Sequence, residues 1–265
     1  MRQPPHAPFR SGPPGFAPAL RPIDPARRFR PDTEDHVLDW KAGLLAASDK
    51  VYRAAPESAE AACEAARAVE IDLGAPATGD LLAASGLVSD DLVVMEKRDG
   101  DWVCTALTLS APTFFSVDLA FEGGLAALHG PVPDGARLAR RIGRVFDGLR
   151  PGLVLERFNW TLQPGAERHT PDAAPLRAEA ARLDPCEAAD RLHLRVERQT
   201  ISRLPQTGAV LFTIRVCLDP ADALENADRT ALAAAWRRLG AEGRAYKGWA
   251  AYEAAAGALF ARWGV

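Results

Sequence analysis

Residues 191–199, RLHLRVERQ, place His193, Arg195, Glu197 and Gln199 at every second position. An extended strand turns alternate side chains to opposite faces, so these four share one face and Leu192, Leu194 and Val196 take the other. The chemistry open to the polar face is specific. An imidazole ligates metal or carries a proton, a guanidinium grips a carboxylate with two hydrogen bonds, and a carboxylate holds a cation or accepts a proton. By the same parity, Arg198 belongs to the opposite face. A polar strand face is either solvated or lines a site, because burying unpaired polar groups is costly.

Three further segments carry candidate groups. His129 in LHGPVPDG stands between an apolar run and a rigid Pro-Val-Pro, just before a helix. Held on that stiffened loop, it could ligate a metal or heme iron, act as a base, or serve structure alone. In ERFNWT, Arg157 and Asn159 share a strand face while Trp160 turns to the core. Tyr246 and Lys247 precede Gly248 in YKGW, where docking of the C-terminal part is the favoured role.

The standard templates are missing. The chain has no G-x-S-x-G, no H-E-x-x-H, no phosphate loop and no G-x-G-x-x-G after a strand. Cys63, Cys104, Cys186 and Cys217 are too scattered for a zinc or iron–sulfur set and read as separate thiols in a reducing compartment. The absence of C-x-x-C-H excludes covalent heme attachment by that motif and leaves non-covalent heme open. Any oxidative chemistry would therefore draw its electrons from a partner.

The elements that must position these residues follow from periodicity. Residues 1–33, rich in Pro, Gly and Arg, resist regular structure and should wrap over the surface or stay partly disordered. Helical patterns occupy residues 34–54, with Val37, Leu38, Leu44, Leu45 and Val51, and residues 57–72, with Ser58 as a possible cap. Two strands cross a turn at Asp99-Gly100. Leu138, Ile142, Val145, Phe146 and Leu149 then fall at helical spacing, and residues 153–163 read as a strand. Pro205–Gly208 turns the polar strand into a second one, with Val210, Phe212, Ile214, Val216 and Leu218 on one face. The remainder is helical over 221–239 and 249–263.

The pattern predicts an α+β protein: an antiparallel sheet of about five strands with N-terminal and C-terminal helical extensions. A single domain spans residues 34–265, with a helical first part (34–88) and a helical last part (221–265). At 265 residues, 48% hydrophobic and net charge −3, the chain can bury one large core. A pI near 6.0 argues against a nucleic-acid surface, and no basic stripe is visible. The arginines of ARLARRIGR alternate with a helix's apolar face and read as solvated. No apolar run approaches the ~20 residues that span a bilayer, and the N-terminus lacks a secretory apolar region, so a soluble, cytoplasmic protein is expected.

Taken in order, LHGPVP, RFNWT, LRVERQTISRLPQTGAVLFTIR and YKG resemble the heme-dependent oxidative N-demethylase family. The third segment, some twenty consecutive positions, is the specific part. Where members have P-S-x-W and then a D-K pair, this chain has Pro112-Thr113 followed by Phe114-Phe115, and Leu119-Ala120. The resemblance implies a PAS-like sheet around non-covalent heme b. It implies oxidation of an N-methyl group of a small secondary amine such as dimethylamine with O2, releasing formaldehyde, and electrons from flavin and ferredoxin-type reductase subunits. Carried over by motif, His129 is the axial iron ligand and His193 the runner-up, taken as pocket lining. Arg195 and Arg198 suit the heme propionates, Glu197 holds the amine or orients Arg195, and Arg157 and Asn159 complete the polar wall. A non-catalytic heme-binding sensor or electron-transfer subunit stays open, as does a heme-free module whose polar strand face is an internal network.

Overall fold

The computed structural model describes residues 3–29 and 36–265. The first part of the chain gives β1 (Arg21–Ile23), α1 (Val37–Leu45), β2 (Tyr52–Ala54), α2 (Ala59–Leu73) and α3 (Leu81–Ser85). A hairpin of β3 (Asp91–Arg98) and β4 (Asp101–Thr108) follows, then α4 (Val117–Ala120), α5 (Leu125–His129) and α6 (Gly135–Gly148). Next come β5 (Val154–Pro164), α7 (Ala174–Ala180), α8 (Pro185–Asp190), β6 (Leu192–Arg203) and β7 (Val210–Pro220). The chain ends with α9 (Asn226–Arg238), α10 (Ala241–Lys247) and α11 (Glu253–Trp263).

Local chemistry accounts for the clearest elements. Asp99 and Gly100 both have positive φ, 49° and 90°, which is what a two-residue hairpin matched to right-handed strand twist requires. The Ala-rich α2 is built of strong helix formers and ends at Gly74, whose φ of 64° provides a left-handed cap. Ser58 occupies the N-cap position of α2 but does not cap it. Its hydroxyl donates to Glu96 instead, at 2.5 Å.

The seven strands among the described residues pair antiparallel in the order β1-β5-β6-β7-β3-β4-β2. The α+β expectation holds, with two more strands than predicted. β1 lies in the Pro-rich segment read as irregular, and β2 in the stretch read as helical over 34–54. Only Val37–Leu45 of that stretch is α-helix, and residues 34 and 35 lie outside the described residues. Of residues 1–33, positions 3–29 are described and run as a strap. Phe9 is buried edge-on to Trp160 with 6.0 Å between centroids, and β1 pairs with the edge of β5. The rest of that segment is outside the described residues.

One sheet face is covered twice. Leu194, Val196, Trp160, Leu162 and Cys217 pack under the C-terminal helices, where Trp236 stacks on Trp249 at 3.8 Å. Leu92, Val94 and Leu211 pack under α2 and α3. Between them a buried polar belt is satisfied internally: Arg215 pairs with Asp90 at 2.7 Å and Arg198 with Glu156 at 2.6 Å. The opposite face is covered at one end by α6, whose Leu138, Ile142 and Phe146 meet Val93, Met95, Ile201 and Val210. Beside that cluster, on the same face, lie the candidate site residues.

Candidate functional site

Pairing register builds the site wall. Glu197 lies opposite Asn159 of β5 and Val216 of β7, and Gln199 lies opposite Arg157 and Ile214. Directly opposed residues share a face, so Arg157, Asn159, Glu197 and Gln199 form a polar half and Phe212, Ile214 and Val216 an apolar half. Ala111, Phe115 and Trp40 pack against the apolar half. Glu197 is nearly buried, and its Oε2 accepts from Asn159 Nδ2 at 3.2 Å and Gln199 Nε2 at 2.8 Å. Gln199 thus extends the polar face by holding Glu197. Arg157 is half-buried and its Nε has no hydrogen-bond partner, an uncommon state for a group so costly to desolvate.

His129 is the last residue of α5, not a loop residue as expected. Its Nδ1 lies 2.8 Å from the Leu125 carbonyl one turn earlier. A carbonyl only accepts, so Nδ1 carries the proton and the neutral ring presents the Nε2 lone pair. Burial, opposed by that hydrogen bond and aided by the nearby Arg157 charge, lowers the imidazole pKa. The ring is therefore kept in the neutral form that binds metal. The backbone is held from the other side too: a Cβ on Gly135 would lie 1.9 Å from the His129 carbonyl oxygen, so only glycine fits where α6 starts.

The other expected site residues are placed differently. Arg195 is on the site face and wholly buried, and every donor of its guanidinium is taken. Nε donates to Thr113 Oγ1, one terminal nitrogen to Gln163 Oε1, and the other to the carbonyls of Ala111, Pro112 and Arg168. It clamps two loops and has no free edge for a propionate. Arg198 is on the far face, bonded to Glu156 and to the carbonyls of Arg27 and Arg28 in the strap. It faces away from the wall. His193 donates from Nδ1 to the Arg191 carbonyl and pairs with Gln163 near the other end of β6, about 13 Å of strand from Glu197.

Lys247, read from sequence as a docking residue, belongs to the wall. Its Nζ donates to Asn159 Oδ1 at 2.8 Å and the Trp160 carbonyl at 3.3 Å. Burial, opposed by Glu197 and aided by Arg157, brings its pKa down to about 8. The neighbouring Tyr246 has its phenol pKa raised by burial and by Glu197. The signal was present in YKG, one of the matched segments, but nothing in local pattern says that this lysine reaches β5.

A family model described as "Haem-dependent oxidative N-demethylase, alpha subunit-like" matches residues 65–256. The chain belongs to this family. Heme dependence and an N-demethylase type of oxidoreduction come with that membership, as does the implication of a partner subunit. The matched region holds His129, the whole polar wall and Lys247, and leaves out the N-terminal strap.

The residues present fit a heme. Among the described residues no group of three or more His, Cys, Asp or Glu could enclose a bare metal ion. Heme needs less from the protein, since the macrocycle supplies the equatorial ligands and one imidazole suffices axially. A neutral imidazole, an unpartnered buried guanidinium nitrogen and a wall half apolar and half polar match a flat group that is greasy over its faces and anionic at one edge. No helix among the described residues is long and apolar enough to cross a membrane.

Proposed function

We propose that non-covalent heme b would be held against this wall by the chain, with His129 Nε2 as the nitrogen that would bind its iron, and that the protein demethylates a small secondary amine. Electrons would come from a flavin or ferredoxin-type reductase, and the methyl carbon would leave as formaldehyde. The observation that carries the reading is the His129 imidazole, fixed as the Nδ1–H tautomer and lying within electrostatic reach of Arg157. The continuous antiparallel sheet with helices on both faces supports a PAS-like description, and four free cysteines agree with a cytoplasmic setting.

Phe212, with Phe115 and Trp40 of the cover over Ile214 and Val216, would meet the apolar body of the heme, and Arg157 would hold a propionate. Bound heme would supply activation of O2 and oxidation of the methyl carbon. The protein supplies position and charge. Glu197 has Oε2 occupied by Asn159 and Gln199, and its Oε1 would accept the N–H of the amine, orienting the methyl group. Lys247, with a pKa of about 8, holds a proton on Nζ that Asn159 keeps in place and that can be released near neutral pH. Arg195 contributes by clamping the 111–113 loop beside the wall, a positioning role.

Protein expressed with added heme should show a Soret band, and with dimethylamine, O2 and a surrogate reductant it should release formaldehyde. Heme without formaldehyde would leave a sensor or electron-transfer subunit; no Soret band would leave the heme-free network. His129→Ala should abolish the axial-imidazole signature. An unchanged spectrum would sink the assignment, and with it this wall as the heme site if the ligand proved to be His193.

A further inference from the structure

Helix α6 carries a surface that the wall does not use. Successive helical residues are about 100° apart, so Arg137, Arg140, Arg141 and Arg144 fall within an arc of about 100°. Leu138, Ile142 and Phe146 centre on the opposite side and face the sheet. The arginines are solvated as expected, but they form one basic stripe where none was visible in the sequence. All four are exposed, and Arg140, Arg141 and Arg144 make no ion pair or hydrogen bond among the described residues. Of the nearby acids, Asp134 is occupied by Arg137, and Asp147 by Lys97 and Trp102, which leaves Asp101 as the exposed carboxylate on the Arg140 flank.

The ground beside the stripe is apolar. A groove of about 410 Å³ runs between Arg141 and Arg144 of α6 and Pro18, Leu20 and Leu155, with Val145 in its wall. A second, of about 380 Å³, lies on the other flank along Ala136, Arg140 and Gly143 and carries the carboxylates of Asp101 and Asp147, so the first groove is the one suited to an acidic partner. Apolar ground edged by charge is how protein–protein interfaces are built. The stripe is about 10 Å long from Arg137 to Arg144, too extended for one small anion. The chain as a whole carries a net charge of −3, so four arginines on one helix face are a local excess of positive charge that would draw an acidic protein.

We infer that the arginine stripe of α6 is the docking surface for an acidic, electron-donating protein. Only the partner's role rests on the heme reading; the binding does not. The place suits that role, because the His129 carbonyl abuts Gly135 at the start of α6 and a Cβ on Gly143 would lie 3.7 Å from Leu125 of α5. A protein seated on α6 therefore lies against the short helix that carries the candidate axial ligand. The sequence shows no flavin, nicotinamide or iron–sulfur motif, and the family implies a partner subunit.

The test uses the full chain and a small acidic [2Fe–2S] ferredoxin as probe, with binding measured on heme-free and heme-loaded protein. The triple variant R140E/R141E/R144E should lower the association rate by at least about tenfold, and the wild-type rate should fall steeply with salt. The charge-matched control K50E/R67E/R182E should stay within about twofold of wild type. In loaded protein, reduction by the ferredoxin should slow in the stripe variant while reduction by dithionite stays unchanged. Equal losses in both variants, or none in either, overturn the inference. So does wild-type protein that ignores the ferredoxin and binds RNA or anionic vesicles through the same arginines. A missing Soret band would sink the heme reading without touching the binding result.

Discussion

Gly135→Ala tests whether the α5–α6 junction sets the candidate iron ligand. The added Cβ would lie 1.9 Å from the His129 carbonyl oxygen and 2.9 Å from its carbonyl carbon, both backbone atoms. Ordinary contact begins at 3.4 Å, so His129 or the start of α6 must move by about 1.5 Å. Two effects on stability oppose each other. Overpacking costs about 1–3 kcal/mol, and replacing glycine by alanine in a helix returns up to about 1 kcal/mol. The net loss is therefore about 0–3 kcal/mol, small enough to leave a folded protein.

The larger effect falls on geometry, since a misplacement of about 1 Å at a functional group can cost about a hundredfold. Heme titration into apoprotein should show affinity weakened by at least about tenfold and an altered axial signature. In the apoprotein, the His129 ring resonances should shift. Gly148→Ala, at the other end of the same helix with nothing within 4 Å of its Cβ, should leave both readouts unchanged. If Gly135→Ala behaves like Gly148→Ala, gaining stability and keeping heme affinity and ring resonances, the junction does not hold His129 and the reasoning fails.

Arg157→Ala should weaken heme binding by about 10–100-fold, the worth of a charged hydrogen bond, and should raise the His129 pKa in apoprotein by removing a nearby cation; an unmoved imidazole titration by NMR would separate the two residues. Arg198→Leu should destabilise by about 1–3 kcal/mol in urea melts, because two strap carbonyls and one oxygen of Glu156 lose their buried donor while Arg21 still pairs with Glu156, and the Soret band of folded protein stays in place; a changed spectrum would put Arg198 at the heme after all. Lys41 is fully buried, its Nζ bonded to the Val88 and Asp90 carbonyls, and burial, opposed by Asp91 and Asp90, brings its pKa down to about 8. Unfolded lysine titrates near about 10.4, so between about pH 8 and about pH 10.4 the unfolded state binds more protons and stability rises with pH, by up to about 1.4 kcal/mol per unit. Lys41→Met should remove that rise; the same slope in both proteins would refute the assignment.

Which of these features could be read from sequence follows from how far away their causes lie. The β6–β7 hairpin was legible because alternation of period two and the turn at Pro205–Gly208 are local, and β3–β4 because Asp99-Gly100 tolerates positive φ. β1 and β2 are three residues long and exist only through pairing with β5 and β4, so no periodicity could reveal them. The site divides in the same way. Parity alone put Arg195, Glu197 and Gln199 on one face and Arg198 on the other. It could not show that Arg195 is used up by carbonyls 84 and 27 residues away, or that Arg198 is claimed by a strap 170 residues upstream. Lys247 is the mirror case, reaching Asn159 across 88 residues from a motif that reads as a connector. A strand specifies which side chains share a face, and the segments that arrive over that face decide which of them keep a free hydrogen-bonding edge. Among the arginines of this sheet that edge survives at Arg157 Nε, where no carbonyl or carboxylate has come to meet it. A half-buried guanidinium nitrogen left in that state costs free energy unless something else binds there, and under the proposed function that group is a heme carboxylate.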